Sequence, residues 1–270
     1  MKLLKSIKLL MLSLIIVSSA CNKTGFDENG TKKNVFFSGD PSLVQKLQAF
    51  IDSDGNGPSI NLQSDAKRFS FSARFSKIYE NPSLNVAQSP FLRSAFDINM
   101  NINPDATVFS SNDPNLKSLF GTEAYFNVNI PNVGSWKEQI YVPNLLNASI
   151  NMQEGAAVTK QNGLELNWEV DKNPLNDKGI LIELYYDPFT NKSVSTNPNA
   201  LPSQAISKYI AVSDYGQYHL SSSDFAEMPS NANITVKIYR GNFKTINIGK
   251  EQQIGLLVYD QFYNAFTLID

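Results

Sequence analysis

The sequence predicts an all-β protein, an antiparallel β-sandwich or pair of sandwiches with one N-terminal helix. Apolar and polar residues alternate with a period of two in many short runs, including Phe69–Phe75, Phe96–Ile102 and Leu164–Val170. Such alternation is typical of strands with one buried and one solvated face, as in antiparallel sheets. Turn-forming residues separate the runs in the second half, at Asp214–Gly216 and Met228–Asn231 for example. Short strands at this spacing favour a sandwich.

Helical periodicity is found in one segment, and it predicts a helix over residues 41–52. Asp40 suits the N-cap and Pro41 suits the first helical position. The apolar residues that recur at helical spacing are Leu43, Val44, Leu47, Phe50 and Ile51.

Residues 1–20 have the three parts of a secretory signal peptide. A lysine-containing start precedes the apolar run Leu9–Val17, and the small residues Ser18–Ala20 follow it. The run is shorter than the roughly 20 apolar residues needed to cross a bilayer. We therefore predict that this segment is removed on export.

Cys21, the only cysteine, directly follows the small-residue triplet. This arrangement resembles the lipobox of bacterial lipoproteins, although Ser18 stands where that family usually has leucine. The resemblance implies cleavage before Cys21 and lipidation of it, with the membrane as a partner through the acyl chains. The alternative is an ordinary signal peptide followed by an unmodified cysteine.

The rest of the chain divides into three segments. Residues 21–35 are predicted to be a lipidated tether, because residues 22–34 are polar and without periodicity. Residues 36–144 are predicted to contain the helix and a first β-domain. Residues 145–270 are predicted to form a second β-sandwich.

The strand patterns Leu164–Trp168, Ile182–Tyr186 and Ile234–Tyr239 resemble the B, C and F strands of immunoglobulin-like and fibronectin type III-like domains. The resemblance implies an immunoglobulin-like sandwich over residues 145–270, with Trp168 as its core tryptophan. Alternation places Val170 on the same face as Trp168. The asparagine-rich, cysteine-poor composition and the lipobox also resemble surface lipoproteins of the Bacteroidota. We therefore expect an envelope protein anchored at the outer membrane, facing the periplasm or the cell surface.

Several chemistries are excluded by composition. A net charge of −2 without a basic block does not suit nucleic-acid binding. His219 is the only histidine, so a multi-histidine zinc site is excluded, and we interpret it as a surface-strand residue. No Gly-x-Ser-x-Gly motif is present. We expect no cofactor.

Three motifs are candidate sites. Asp52, Asp54 and Asn56 match the start of an EF-hand calcium loop, but Gln63 replaces the bidentate glutamate, and a glycine-rich turn explains them equally well. Glu169 and Asp171 begin the Glu-x-Asp-x-x-Glu pattern of one jelly-roll glycosidase family, which breaks at residue 174, a proline.

Trp136 lies in the turn-like stretch 132–136, where an indole can stack on a sugar or anchor a protein partner. Its alternative is a tryptophan folded over a sheet edge.

Two functions remain open. The first is a non-catalytic envelope lipoprotein that binds a glycan or protein ligand or has a structural role. The second is a carboxylate-based glycan hydrolase, which would need a cleft with two acids about 5–10 Å apart.

Overall fold

The computed structural model describes residues 23–26, 32–40, 42–43, 59–65, 68–75, 83–88, 96–98, 107–111, 114–152, 156–194, 201–248 and 252–270. Its regular elements are nearly all strands, which confirms the all-β prediction. The strands are β1 Lys23–Phe26, β2 Lys32–Gly39, β3 Ser59–Asp65, β4 Arg68–Phe75, β5 Ser83–Ala87, β6 Phe96–Ile98, β7 Thr107–Ser111, β8 Thr122–Ile130, β9 Gly134–Val142, β10 Ser149–Ile150, β11 Ala157–Thr159, β12 Leu164–Asn167, β13 Ile180–Tyr186, β14 Ala205–Val212, β15 Gln217–Leu220, β16 Ala232–Ile248 and β17 Gln252–Ile269.

Helical structure begins after aspartate–proline pairs. The predicted helix over residues 41–52 lies outside the described residues except for Ser42 and Leu43, which are helical. Asp40 acts as the expected N-cap, because its Oδ1 accepts a hydrogen bond from the Ser42 amide at 2.9 Å. A second, unpredicted helix, α1 (Pro188–Val194), follows Asp187 in the same way. A 3₁₀ helix covers Pro114–Leu119.

The C-terminal half is an immunoglobulin-like sandwich. One sheet has the order β10-β12-β15, and the facing part of the large sheet has the order β14-β13-β16-β17. These orders correspond to strands A-B-E and C′-C-F-G of the immunoglobulin arrangement. Trp168 is buried in the core between the sheets, as predicted, with 6% of its surface exposed. Val170 is 41% exposed, contrary to the alternation, because β12 ends at Asn167 and the alternation ends with it.

The large sheet is ten-stranded and mixed rather than purely antiparallel. Its order is β1-β2-β14-β13-β16-β17-β3-β4-β7, with β11 beside β17. The pairs β2–β14, β3–β17 and β11–β17 are parallel. Each parallel pair joins segments far apart in sequence, as a parallel pairing requires.

The long β16–β17 hairpin belongs to two hydrophobic cores. The part of the hairpin near residues 234–238 packs in the sandwich core. Its tip contributes Ile246, Ile254 and Leu256 to a first core, together with β3, β4 and the sheet β6-β5-β8-β9. The hairpin belongs to the predicted second segment, residues 145–270, and contributes to both cores.

Part of the predicted tether is β-structure. β1 pairs with β2, and β2 pairs in parallel with β14 from Lys33 onward. Residues 23–26 and 32–35 are thus strands rather than flexible tether. β1 is an edge strand, and β2 lies between β1 and β14. Both are held by backbone hydrogen bonds, which need no hydrophobic periodicity, so the polar sequence did not predict them.

Candidate functional site

A buried ion pair lies where the two cores meet. Arg240 is fully buried in β16, and its Nε is 2.9 Å from Oδ2 of Asp214. Its Nη2 donates to Oδ1 of the same carboxylate at 3.0 Å. The guanidinium thus makes one hydrogen bond and one close charge contact with the carboxylate, because Nε lies near Oδ2 without donating to it. Removing both charges from water is costly, so further hydrogen bonds must complete the arrangement.

Those further bonds tie the segment between the cores to the sandwich. Arg240 Nη1 donates to the carbonyls of Asn144 at 3.1 Å and Leu145 at 3.2 Å. Its Nη2 also donates to the carbonyl of Glu169. One buried side chain thus holds the linker over residues 143–147 against the loop after β12. We call Arg240, Asp214, Asp171 and Asp260 the junction clamp.

Asp171 secures the linker from a second side. It accepts hydrogen bonds from the Asn144 amide at 2.8 Å, the Asn144 side chain at 3.1 Å and the Tyr141 hydroxyl at 2.9 Å. Burial acts to raise the pKa of Asp171, but bonds from Asn144, Asn173 and Tyr141 outweigh it and lower that pKa. Burial and Asp171 together raise the pKa of Tyr141.

Asp260 holds the far end of the linker. Its Oδ2 accepts a hydrogen bond from the Leu146 amide at 2.7 Å. Burial raises its pKa, although hydrogen bonds and the charge of Arg240 act in the opposite direction. Asn144, Leu145 and Leu146, the central residues of the linker, are thus each hydrogen-bonded to a buried side chain.

A groove of about 320 Å³ opens beside the clamp, between the 3₁₀ helix of the first core and the loop after β12. We call it the junction groove. Its lining combines apolar surface with amide and charged groups, and consists of Lys117, Phe120, Asn144, Leu145, Asn147, Glu169 and Val170. Asn147 Nδ2 donates to Glu169 Oε2 at 2.6 Å, which orients both side chains. A groove of this size between two units is a common setting for a small ligand.

A second, more open groove of about 440 Å³ lies near β9 and the start of the β16–β17 tip. We call it the charged groove, because its lining includes Glu123, Asp177, Lys178 and Lys244. Lys178 and Asp177 form an ion pair at 2.6 Å, and Lys244 pairs with Glu138. Much of its charge is therefore already compensated.

Of the residues predicted to carry a lipid or to bind a metal ion or a ligand, the structure describes Trp136 alone. Cys21, Asp52, Asp54 and Asn56 lie outside the described residues.

Trp136 lies on β9 opposite Val128 rather than in a loop, half-buried against the first core, and lines neither groove. The tight hairpin turn ends before it, at residue 133, which is why a turn-like sequence ends in a strand residue. Its ligand-binding role remains a prediction.

The two acids of the partial glycosidase motif are separated by the fold. Glu169 lines the junction groove, whereas Asp171 is buried in the clamp. His219 is a half-exposed strand residue, as predicted, with its Nδ1 2.7 Å from Oε1 of Glu165 on the neighbouring strand.

Sequence reasoning missed the clamp. Arg240 continues the inward-facing series of β16 after Ile234, Val236 and Ile238. A charged residue in such a series must find a buried partner. The charge of Arg240 among apolar inward positions therefore indicated that a buried partner exists. The sequence did not indicate that this partner is Asp214, which lies in the turn between β14 and β15.

Among the residues described here, no helix is long and apolar enough to cross a membrane. Within the same ranges, no group of three or more His, Cys, Asp or Glu could hold a metal ion.

Comparisons with known proteins add little. No family model matches the chain, and no curated protein matches it. Among solved structures, the chain is similar to the chicken CNTN1 FN1–FN3 domains, with 10% identity and a TM-score of 0.21. The match covers 79% of this chain and 66% of that one, so the chain spans just under two thirds of its length. A TM-score this low supports no argument, and the fold assignment depends on the strand order itself.

Proposed function

We propose that this protein is a non-catalytic, lipid-anchored binding protein of the bacterial envelope, and that the junction groove binds a glycan. The observation that carries the proposal is the mixed lining of the groove. Phe120, Leu145 and Val170 offer apolar surface to the C–H faces of a sugar. Lys117 and Glu169 offer charged hydrogen-bonding groups to its hydroxyls.

The size of the groove favours a glycan over a protein as ligand. A volume of about 320 Å³ lies within the range of roughly 300–1,000 Å³ found for small-ligand sites, whereas stable protein–protein interfaces are broad surfaces that bury roughly 1,200–2,000 Å². The clamp adds a second reason. Because Asn144 and Asn147 are already held by hydrogen bonds to Asp171 and Glu169, little ordering entropy is lost when a ligand binds.

The lipid anchor is the part of the proposal that places the protein at a membrane. It depends on the lipobox resemblance at Cys21, and on the Bacteroidota-like composition for placement at the outer membrane. β1 begins at Lys23, only two residues later. An anchor at Cys21 would therefore hold the sheet edge within roughly 7 Å of the membrane surface.

The proposal that the protein is non-catalytic is supported by the number of acidic residues in the groove. Glu169 is the only carboxylate among the described residues that line it, and it already accepts a bond from Asn147. Glycoside hydrolysis needs two carboxylates across the bond that is cleaved. The charged groove contains Glu123 and Asp177, so the hydrolase alternative is tested there.

The test is calorimetric titration of the purified protein with xylohexaose, cellohexaose, maltohexaose and mannohexaose. We expect at least one to bind, and Lys117→Ala or Glu169→Gln to weaken that binding about tenfold, as loss of a charged hydrogen bond does. Lys137→Ala, an exposed lysine on β9 outside both grooves, is the matched control and should bind normally.

Two results would overturn the proposal. One is the absence of binding to every saccharide of the panel, or binding that the groove variants leave unchanged. The other is release of new reducing ends that Glu123→Gln or Asp177→Asn abolishes, which would establish the hydrolase instead.

A further inference from the structure

Tyr215 is 81% exposed, more than any other large hydrophobic residue in the described ranges. It lies in the turn between β14 and β15. Isolated exposed apolar residues are common, so exposure alone assigns nothing. The turn that carries Tyr215 is, however, held by several hydrogen bonds.

The turn is held in place by the contacts of the neighbouring residue, Asp214. Its carboxylate accepts hydrogen bonds from Trp168 Nε1 at 2.7 Å and Asn176 Nδ2 at 2.8 Å, in addition to the Arg240 pair. The backbone on either side of Tyr215 is also bonded. The Tyr215 amide donates to the Ser213 carbonyl at 2.9 Å, and the Gly216 carbonyl accepts from the Trp168 amide at 2.8 Å.

The same turn lies against the junction groove. Gly216 approaches Val170, a groove residue, so closely that a β-carbon at position 216 would be 2.9 Å from Val170 Cγ2. Gly216 also has a φ of +86°, which favours glycine. The turn that carries Tyr215 thus lies against the groove wall and is bonded on both sides of this residue.

We infer that Tyr215 is an aromatic platform that extends the junction groove, so that the ligand is an oligosaccharide longer than the groove itself. This inference rests on the proposed function. One sugar occupies the groove, and a neighbouring sugar of the same chain stacks its apolar face on the phenol ring. Tyrosine suits this task because it offers a rigid amphipathic surface with few rotatable bonds. A protein hot spot would instead be surrounded by packed contacts that exclude water.

The test is a chain-length series, from mono- to hexasaccharide, of whichever panel glycan the wild-type protein binds. Affinity should rise with length in the wild type. Tyr215→Ala should remove that rise, weakening the longest ligand about tenfold while leaving the shortest bound ligand unchanged. Tyr215→Phe keeps the ring and should retain the rise.

Tyr263→Ala is the matched control, since Tyr263 is 53% exposed on β17 and lines neither groove. It should behave as the wild type. A rise with length that Tyr215→Ala leaves intact would overturn this inference while the proposed function stands. Equal weakening at every length would also overturn it, because Tyr215 would then belong to the groove. If no saccharide binds, both proposals are overturned.

Discussion

Single side chains decide how the two cores are joined. Arg240 contacts the linker carbonyls, the loop after β12 and the Asp214 turn at once. Each of these segments has buried backbone or carboxylate groups that need a donor. An apolar residue at position 240 would fill the space but would leave those acceptors unsatisfied. The clamp is thus a structural device that also shapes the groove beside it.

At this scale we predict that Asp214→Ala is strongly destabilising. It leaves Arg240 buried without its counter-charge and removes the partner of Trp168 Nε1 and Asn176. Breaking a buried pair in this way costs about 3–5 kcal/mol in the free energy of unfolding. Urea unfolding followed by Trp fluorescence measures the change.

An exposed ion pair provides the comparison for that prediction. Asp177→Ala removes the pair with Lys178, whose side chains are 50% and 27% exposed respectively. We expect a loss of less than about 1 kcal/mol there. Equal small losses in the two variants would contradict the role given to the clamp.

At the scale of elements, the β16–β17 hairpin is the main connection between the cores. Val258 and Leu256 lie at the center of the first core, although they come from the end of the chain. β3 pairs with β17 in parallel, so the part of the large sheet formed by β3, β4 and β7 is joined to the rest of that sheet only when the hairpin is made.

We therefore predict that residues 36–144 do not fold alone. The fragment lacks the hairpin, so the first core would lose Ile246, Ile254, Leu256 and Val258, and Leu62 on β3 would lose its neighbour Val258 on β17. Its amide NMR spectrum should show the narrow dispersion of an unfolded chain, whereas residues 36–270 should give dispersed signals. A cooperative unfolding transition of the short fragment would contradict this prediction and would favour two independent domains.

At the scale of the whole molecule, the predicted anchor decides where the protein acts. Cys21 and the signal peptide lie outside the described residues, so this part depends on the sequence pattern. We predict that the membrane-extracted protein carries a diacylglyceryl group on Cys21 as its N-terminal residue. Intact-mass spectrometry detects this directly.

The matched variant is Cys21→Ala, which removes the acylated thiol and should release the protein from the membrane fraction. Two or three acyl chains anchor a protein stably because each buried methylene contributes about 0.8 kcal/mol. A Cys21→Ala protein that stays in the membrane fraction would show that something other than the acyl chains holds it there.

The sequence alone determined the local features of this protein. Alternation identified the strands around Phe71, Leu166 and Ile182 and the burial of Trp168, because the side-chain period of a strand reports which face is apolar. Alternation failed at Val170, because β12 ends at Asn167. The turn-like composition before Trp136 did not indicate that this residue lies on β9.

Only the tertiary structure decided how these strands are combined. The parallel pairing of β2 with β14 and of β3 with β17, the sharing of one hairpin by two cores, and the meeting of Arg240 with Asp214 all join segments distant in sequence. Periodicity describes one segment at a time and carries no information about which other segment it meets. The junction groove and the position of Tyr215 beside it arise from those long-range pairings, because a surface between two units exists only after both have formed.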